Sequence, residues 1–184
     1  MINHCGTKSI QTKRLLLRKY QENDVDDIYH NYATDERVTR YLPWPPYTRM
    51  QDLAAFISAQ ISGYSDAVYN WVIEYAGQVI GSVSATVVDV TNECCEIGYC
   101  LGYDYWNRGI MAEAVRAVLG YLFHAAGFHR VMAKHDVDNP GSGRVMAKCG
   151  MVYEGRLREH YLRHDGNFSD ALVYGLLKRE YTAV

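Results

Sequence analysis

Apolar and polar positions along this chain change period several times, and each change marks an element. Residues 14–20 carry three consecutive leucines between arginines and end on Tyr20, which predicts a first strand. From Asn23 or Asp24, either able to cap a helix, Val25, Ile28, Tyr29 and Tyr32 fall on one helical face. Thr48 with Gln51 has the spacing of a capping box for a second helix, whose apolar positions are Leu53, Phe56, Ile57 and Ile61 and whose end is Gly63. Between the two helices, Arg40 to Tyr47 packs Tyr41, Leu42, Trp44 and three of the four prolines into a stiff aromatic loop.

A period of two takes over in 71–75 and 78–88, joined by Ala76-Gly77 as a hairpin, and again in 93–101, so three strands form an antiparallel meander. Past Trp106, Asn107, Arg108 and Gly109 the period becomes helical at once, through Ile110, Met111, Ala114, Val115, Val118, Leu119, Leu122 and Phe123, stopping at Gly127. Residues 129–137 read as a further strand and 142–148 as a short helix ended by Gly150. Two last strands, 151–159 and 168–178, form a hairpin across 164–167. The order is strand, two helices, three strands, helix, strand, helix, two strands. That predicts a mixed α/β fold with a largely antiparallel sheet and one parallel step through the main helix.

Length and composition narrow this to one domain. A chain of 184 residues can bury one substantial core, with residues 1–13 expected as a loose segment and 14–184 as the domain. Nineteen basic and 21 acidic residues give a net charge of −2 with no long run of either sign, which argues against a general nucleic-acid or anionic-membrane binder. No apolar run approaches the roughly 20 residues of a membrane span and the N-terminus lacks a signal-peptide core, so a cytoplasmic protein is expected. The cysteines, five in all, include no C-x-x-C pair, which speaks for reduced thiols. His160 and His164 have half-zinc-site spacing without a cysteine pair, so no metal is expected.

Three segments carry candidate chemistry. The helix opening at Ile110 has no carboxylate before Glu113 and follows Arg108, so its free N–H groups suit an anion, phosphate above all. Alternation along 93–101 sends Glu96, Gly98 and Cys100 to one face, leaving open space beside a carboxylate on a strand. That Glu96 is a general base and that it is an ordinary solvated acid are both compatible with this pattern. In 139–150, Asn139, Ser142 and Lys148 stand at the first, fourth and tenth places; taken alone, Asn139 and Ser142 read as helix caps. Gly141-Ser142-Gly143 lacks the glycines of a hydrolase elbow, and neither a Walker pattern nor a strand-following G-x-G-x-x-G occurs.

Together, Glu96-Ile97-Gly98-Tyr99, the run from Tyr105 to Ala114 and the run from Asn139 to Gly150 resemble the GCN5-related N-acetyltransferase (GNAT) superfamily. Within it they are similar to the ribosomal-protein alanine and serine N-acetyltransferases, the RimJ and RimL type, over nearly the whole chain. The resemblance implies a six- to seven-stranded sheet flanked by about four helices, and transfer of an acetyl group from acetyl-CoA, as co-substrate, to a primary amine. It implies pyrophosphate on Arg108, Gly109, Ile110, Met111 and Ala112, pantetheine along Tyr99, Cys100 and Leu101 and at Asn139, and adenosine phosphates near Arg144 and Lys148. Catalytic candidates are Glu96 and Glu159 as base and Ser142, also at the cofactor, as the group that assists the thiolate. Two departures stand out. Trp106 and Met111 occupy the ends of the loop pattern Q/R-x-x-G-x-G/A, and Met146 stands where many members carry a proton-donating tyrosine. Trp44 and Tyr47 are expected to line the acceptor entrance. The acceptor is a small-molecule or peptide amine: a protein N-terminus, free amino acid, polyamine or antibiotic. The rival is a non-catalytic acyl-CoA-binding module, and the resemblance admits a homodimer.

Overall fold

Alternation in the middle of the chain becomes the meander β3 (Tyr69–Tyr75), β4 (Gln78–Asp89) and β5 (Cys94–Leu101). Ala76 and Gly77 both take positive φ, 51° and 81°, the twist a two-residue hairpin turn needs. On its outer side β3 pairs with β2 (Leu15–Arg18), and β2 with β1 (Ile10–Gln11). From β5 the chain runs through α4 (Ile110–His124) to β6 (Arg130–Asp136), which lies parallel to β5. After α5 (Pro140–Lys148), β7 (Val152–Leu162) and β8 (Phe168–Leu177) close the sheet. In this computed structural model, which describes residues 1–182, the strand order is β1-β2-β3-β4-β5-β6-β8-β7. Every neighbour is antiparallel except β5 and β6.

Each face of the sheet buries its own core, as a period of two demands. Trp71, Ile73, Val83, Cys95 and Ile97 meet Met111, Ala114, Val115, Val118 and Leu122 of α4. On the opposite face Val72 and Val79 meet Ile28 of α1 (Val25–Ile28) and Leu53 and Ile57 of α3 (Met50–Ser62). These cores place helices on both faces and leave the C-terminal ends of β5 and β6 between them.

The sheet has eight strands, against the six or seven expected. The added one, β1, is two residues long, below the length at which alternation is readable, and it pairs only because the Thr12 turn returns it onto Leu16 and Leu17. The segment before it hydrogen-bonds to the body through Asn3 N–H to the Ala126 carbonyl and Gly6 N–H to the Asp66 carbonyl. A fifth helix, α2 (Glu36–Thr39), is started by Asp35, whose carboxylate accepts from Arg37 N–H at 2.9 Å. Helix α1 runs on as a π turn over Tyr29–Ala33, the extra residue burying both Tyr32 and Ala33. The Thr48–Gln51 capping box does not form. Helix α3 starts after Arg49, whose guanidinium pairs with Asp52 at the third helical position.

Candidate active site

Strands β5 and β6 pair only as far as Ile97 and Ala133. Beyond these they part, and the 98–101 edge of β5 faces a wedge instead of a neighbour, with backbone groups that can pair with an extended ligand. The N-terminal ends of α4 and α5 reach the same opening, making a cleft of 390 Å³. Tyr99, Cys100 and Leu101 line it from the strand, Gly109, Ile110, Met111 and Ala112 from α4, and Asn139, Ser142, Arg144 and Lys148 from α5.

Gly109 precedes α4 with φ 73° and Asn107 has φ 60°, so the turn into the helix is built from left-handed residues. Glu113 N–H to the Gly109 carbonyl, 3.1 Å, is the bond of the first helical turn, and the N–H groups of Ile110, Met111 and Ala112 precede it. Glu113, the first-turn carboxylate that would oppose an anion, is turned away and neutralised. Its Oε1 accepts from Thr12 Oγ1 at 2.7 Å and Arg14 N–H at 3.0 Å, and its Oε2 from Arg14 Nε at 2.7 Å. Burial acts to raise this carboxyl's pKa, and the hydrogen bonds from Thr12 and Arg14 more than offset it, leaving it below the usual carboxylate value. Arg14 also donates to the Arg108 carbonyl at 3.1 Å, so the residue leading into β2 braces the loop. Arg108 is the one expected cofactor residue absent from the cleft wall; its guanidinium lies 5.7 Å from the Tyr105 ring. Trp106 donates its indole N–H to the Leu101 carbonyl at 2.7 Å and thereby ties the loop to the end of β5.

At α5, Asn139 caps the helix by accepting from Ser142 N–H at 3.3 Å. Ser142 Oγ–H donates to the Tyr99 hydroxyl at 3.1 Å, and that hydroxyl donates to the Ser142 carbonyl at 3.0 Å. Burial pushes the Tyr99 phenol well up, so it stays protonated. Gly143 sits on His135: a Cβ there would meet His135 Nε2 at 2.6 Å, and only a glycine lets α5 lie this close. Met146 is packed in the core under α4 and occupies no part of the cleft wall.

Glu96 points to the α1–α3 side of the sheet. Its Oε2 pairs with Lys134 Nζ at 3.1 Å, and Lys134 in turn contacts His160 Nε2 at 3.2 Å. The space beside it is open, since a Cβ on Gly98 would meet nothing nearer than Ser84 Oγ at 3.6 Å. Glu159 is exposed on β7 in a left-handed conformation, φ 51°, and its N–H is taken by Asp170 Oδ1 at 2.7 Å. Neither glutamate lines the cleft. Trp44 and Tyr47, 5.7 Å apart, line a separate pocket of 70 Å³ that meets the cleft at Cys100.

Sequence reasoning missed Val38, Tyr41, Leu42 and Asp138 on the cleft wall. Tyr41 and Leu42 had a signal, lying in the proline-rich loop already assigned to the entrance. Asp138 had none, because Arg163 places it from 25 residues away: the guanidinium holds Asp136 at 2.5 Å and Asp138 at 2.6 Å. Among the described residues no three histidine, cysteine or acidic side chains gather as a metal site, and no helix is long and apolar enough to cross a membrane.

The family model for the acetyltransferase (GNAT) domain matches residues 14–152. This chain belongs to the GNAT family. A Bacillus licheniformis protein named uncharacterized N-acetyltransferase p20 is 30% identical over 178 residues, covering 95% of this chain and 98% of that one. The [ribosomal protein uS5]-alanine N-acetyltransferase of Escherichia coli is 30% identical over 106 residues, 57% of this chain and 54% of that one. Among solved structures, a GNAT-family acetyltransferase from Bacillus anthracis superposes with a TM-score of 0.83 at 27% identity, covering 94% of this chain and all of that one. As a GNAT protein, the chain is an acetyl-CoA-dependent N-acetyltransferase.

Proposed function

We propose that this GNAT enzyme acetylates the primary α-amine of a small molecule or of a peptide N-terminus, with Glu96 as base and Ser142 at the departing sulfur. The observation that carries this is the cleft itself, in which the free edge of β5, the N–H groups opening α4 and the Ser142–Tyr99 pair line one continuous wall. Acetyl-CoA supplies the acyl group. Gly109, Ile110, Met111 and Ala112 would hold its pyrophosphate, with Arg108 beside them, and Arg144 and Lys148 its adenosine phosphates. Tyr99, Cys100 and Leu101 would pair with the pantetheine amides, with Asn139 at the arm. A backbone N–H in this stretch would polarise the thioester carbonyl.

Glu96 is favoured over Glu159 because its side of β5 is the side of the entrance loop and the space beside it is open. Lys134 fixes one carboxylate oxygen and leaves the other free to accept an ammonium proton, directly or through a water. Ser142 Oγ–H, held beside the Tyr99 hydroxyl to which it donates, can instead turn its proton to the departing sulfur and regain one from solvent once the thiol has left, which takes over the role that a tyrosine on α5 cannot fill where Met146 is buried. The E. coli relative whose name states alanine acetylation of ribosomal protein uS5 supports an N-terminal α-amine as acceptor.

The test is release of free thiol from acetyl-CoA across a panel of amines: N-terminal peptides, amino-acid amides, polyamines and aminoglycosides. Turnover confined to α-amines is expected. Turnover of polyamines or aminoglycosides alone would overturn the acceptor class, and acetyl-CoA binding without turnover on any amine would leave a binding module in place of an enzyme.

A further inference from the structure

Of the charged residues lining the cleft, Asp138 alone is acidic; the others are Arg144 and Lys148. Helix α5 lies along the cleft and spreads these charges out. At 1.5 Å per residue, Arg144 and Lys148 follow Asn139 by about 7.5 and 13 Å, and Ser142 by only about 4.5 Å. Asp138 stands one residue, about 3.8 Å, on the other side of Asn139. The acid is therefore at the end where Ser142 meets Tyr99, and the bases are toward the end assigned to the adenosine phosphates.

The turn that caps α5 fixes Asp138 in place. Asp138 N–H donates to Asp136 Oδ1 at 2.9 Å, Asn139 N–H to the Asp136 carbonyl at 2.8 Å, and Ser142 N–H to Asn139 Oδ1 at 3.3 Å. Asp138 Oδ2 accepts from Arg163 at 2.6 Å, and its Oδ1 has no partner among the described residues. Arg163 also pairs with buried Asp136, so these three side chains carry one net negative charge. Tyr41 covers this end, its ring 5.8 Å from the Arg163 guanidinium. Arg40, 5.4 Å from the same ring, adds a cation that is exposed and screened by solvent.

Resting on the α-amine reading above, we infer that Asp138 is the carboxylate on which the acceptor docks: its open oxygen receives the ammonium before the proton is given up. The start of α5 carries partial positive charge and repels a cation unless an anion stands in front of it. Glu96 is off the cleft wall and shares its charge with Lys134, which leaves Asp138 as the anion an arriving ammonium meets. Once the proton has passed to Glu96 and the acetyl group to nitrogen, the product is a neutral amide. The carboxylate that holds the substrate then has no charge to hold, and release follows. An acceptor bearing a carboxylate beside its amine meets like charge. Asp138 is 60% exposed, so the attraction has the size of a surface pair.

Initial rates with alaninamide and with free alanine, which differ by one carboxylate, are compared for the wild type, Asp138→Asn and Asp138→Glu at about pH 7, where an α-amine is mostly protonated. The acetyl-CoA Kd and the inhibition constant of N-acetylalaninamide, the neutral product, are measured beside them. Asp138→Asn keeps an oxygen for Arg163 and removes the charge. The KM for alaninamide is expected to rise about fivefold, with kcat and the acetyl-CoA Kd held. The advantage of alaninamide over alanine is expected to shrink by a similar factor, and Asp138→Glu to recover part of both. N-acetylalaninamide is expected to inhibit the wild type and Asp138→Asn alike. A disturbed turn would weaken the neutral product and acetyl-CoA together with the amine, and that result would overturn the charge role. An unchanged KM with an unchanged preference for the amide would overturn docking while leaving α-amine acetylation standing. A fall in kcat of roughly 10²-fold or more at constant KM would make Asp138 the base and overturn docking as well. No turnover of alaninamide or of any other α-amine would overturn the α-amine reading and this inference with it.

Discussion

At the scale of single residues, the base and the acid are separable by substitution. Glu96→Gln keeps the shape and the Lys134 contact and removes the proton acceptor, so kcat is expected to fall roughly 10²–10⁴-fold. The acetyl-CoA Kd should hold, because Glu96 is not on the cleft wall. Steady-state rates with calorimetric binding check both, and an unchanged kcat would transfer the role to Glu159 or to water. Tyr99→Phe removes the hydroxyl that meets both Ser142 Oγ and the Ser142 carbonyl. The expected loss of stability is about 1 kcal/mol. If the Tyr99 hydroxyl positions the Ser142 Oγ–H that donates to it, kcat falls by more than a stability loss of that size explains and Ser142→Ala adds little to it in the double variant; additive effects would make the two groups independent.

Between elements, the hairpin of β7 and β8 is anchored to the end of β6 by charge. Asp136, 4% exposed, accepts from Arg163 Nε at 2.8 Å, and Arg163 reaches Asp138 and, at 2.7 Å, Ser169. Burial acts to raise the Asp136 carboxyl; the hydrogen bonds from Arg163, Asp138 N–H and Ser169 outweigh it and hold the pKa below the usual carboxylate value. A depressed folded pKa means that this stabilisation is complete above the unfolded value, about 3.9, and is lost as pH falls below it toward the lower folded one. Thermal melts from pH 7 to pH 2.5 should show the wild type losing stability below about pH 4. Asp136→Asn should be destabilised already at pH 7, by about 3 kcal/mol, and should lose less on acidification.

This same level is where sequence reading reached its limit. The meander, α4, β6 and α5 were legible because each carries a readable period, and the turn into α4 because its glycine stands where a period of two gives way to a helical one. Glu159 was not, since two extra residues of β7 stand between the pairs Leu157–Ala171 and Tyr161–Ser169, and alternation counted along the chain cannot register an insertion of that kind. Nor could the Glu96–Lys134 pair be read, because it depends on the register of β6 against β5, which puts Met132 opposite Glu96. Met146 shows the converse. The departure visible in the sequence became intelligible only when the side chain was found in the core, leaving the phenol of Tyr99 as the one that meets Ser142.

For the whole molecule, the parallel step decides how ligand and fold are coupled. A continuous sheet would have paired β5 with β6 along its full length; here pairing ends at Ile97 and Ala133, and the backbone beyond is satisfied in part by Trp106 and otherwise open to a ligand. Co-substrate bound there would link the ends of β5, α4 and α5, elements that pack into one core. Binding to the folded state alone at 100 times its Kd contributes about 2.7 kcal/mol. For a chain of this size each kcal/mol corresponds to roughly 2–4 °C, so CoA should raise Tm by about 5–11 °C. Hydrogen exchange should show protection at 98–101, 109–112 and 139–142 together, since one ligand would order all three. Protection limited to 109–112 would describe a phosphate bound at a helix end, and would remove the free edge of β5 from the binding site.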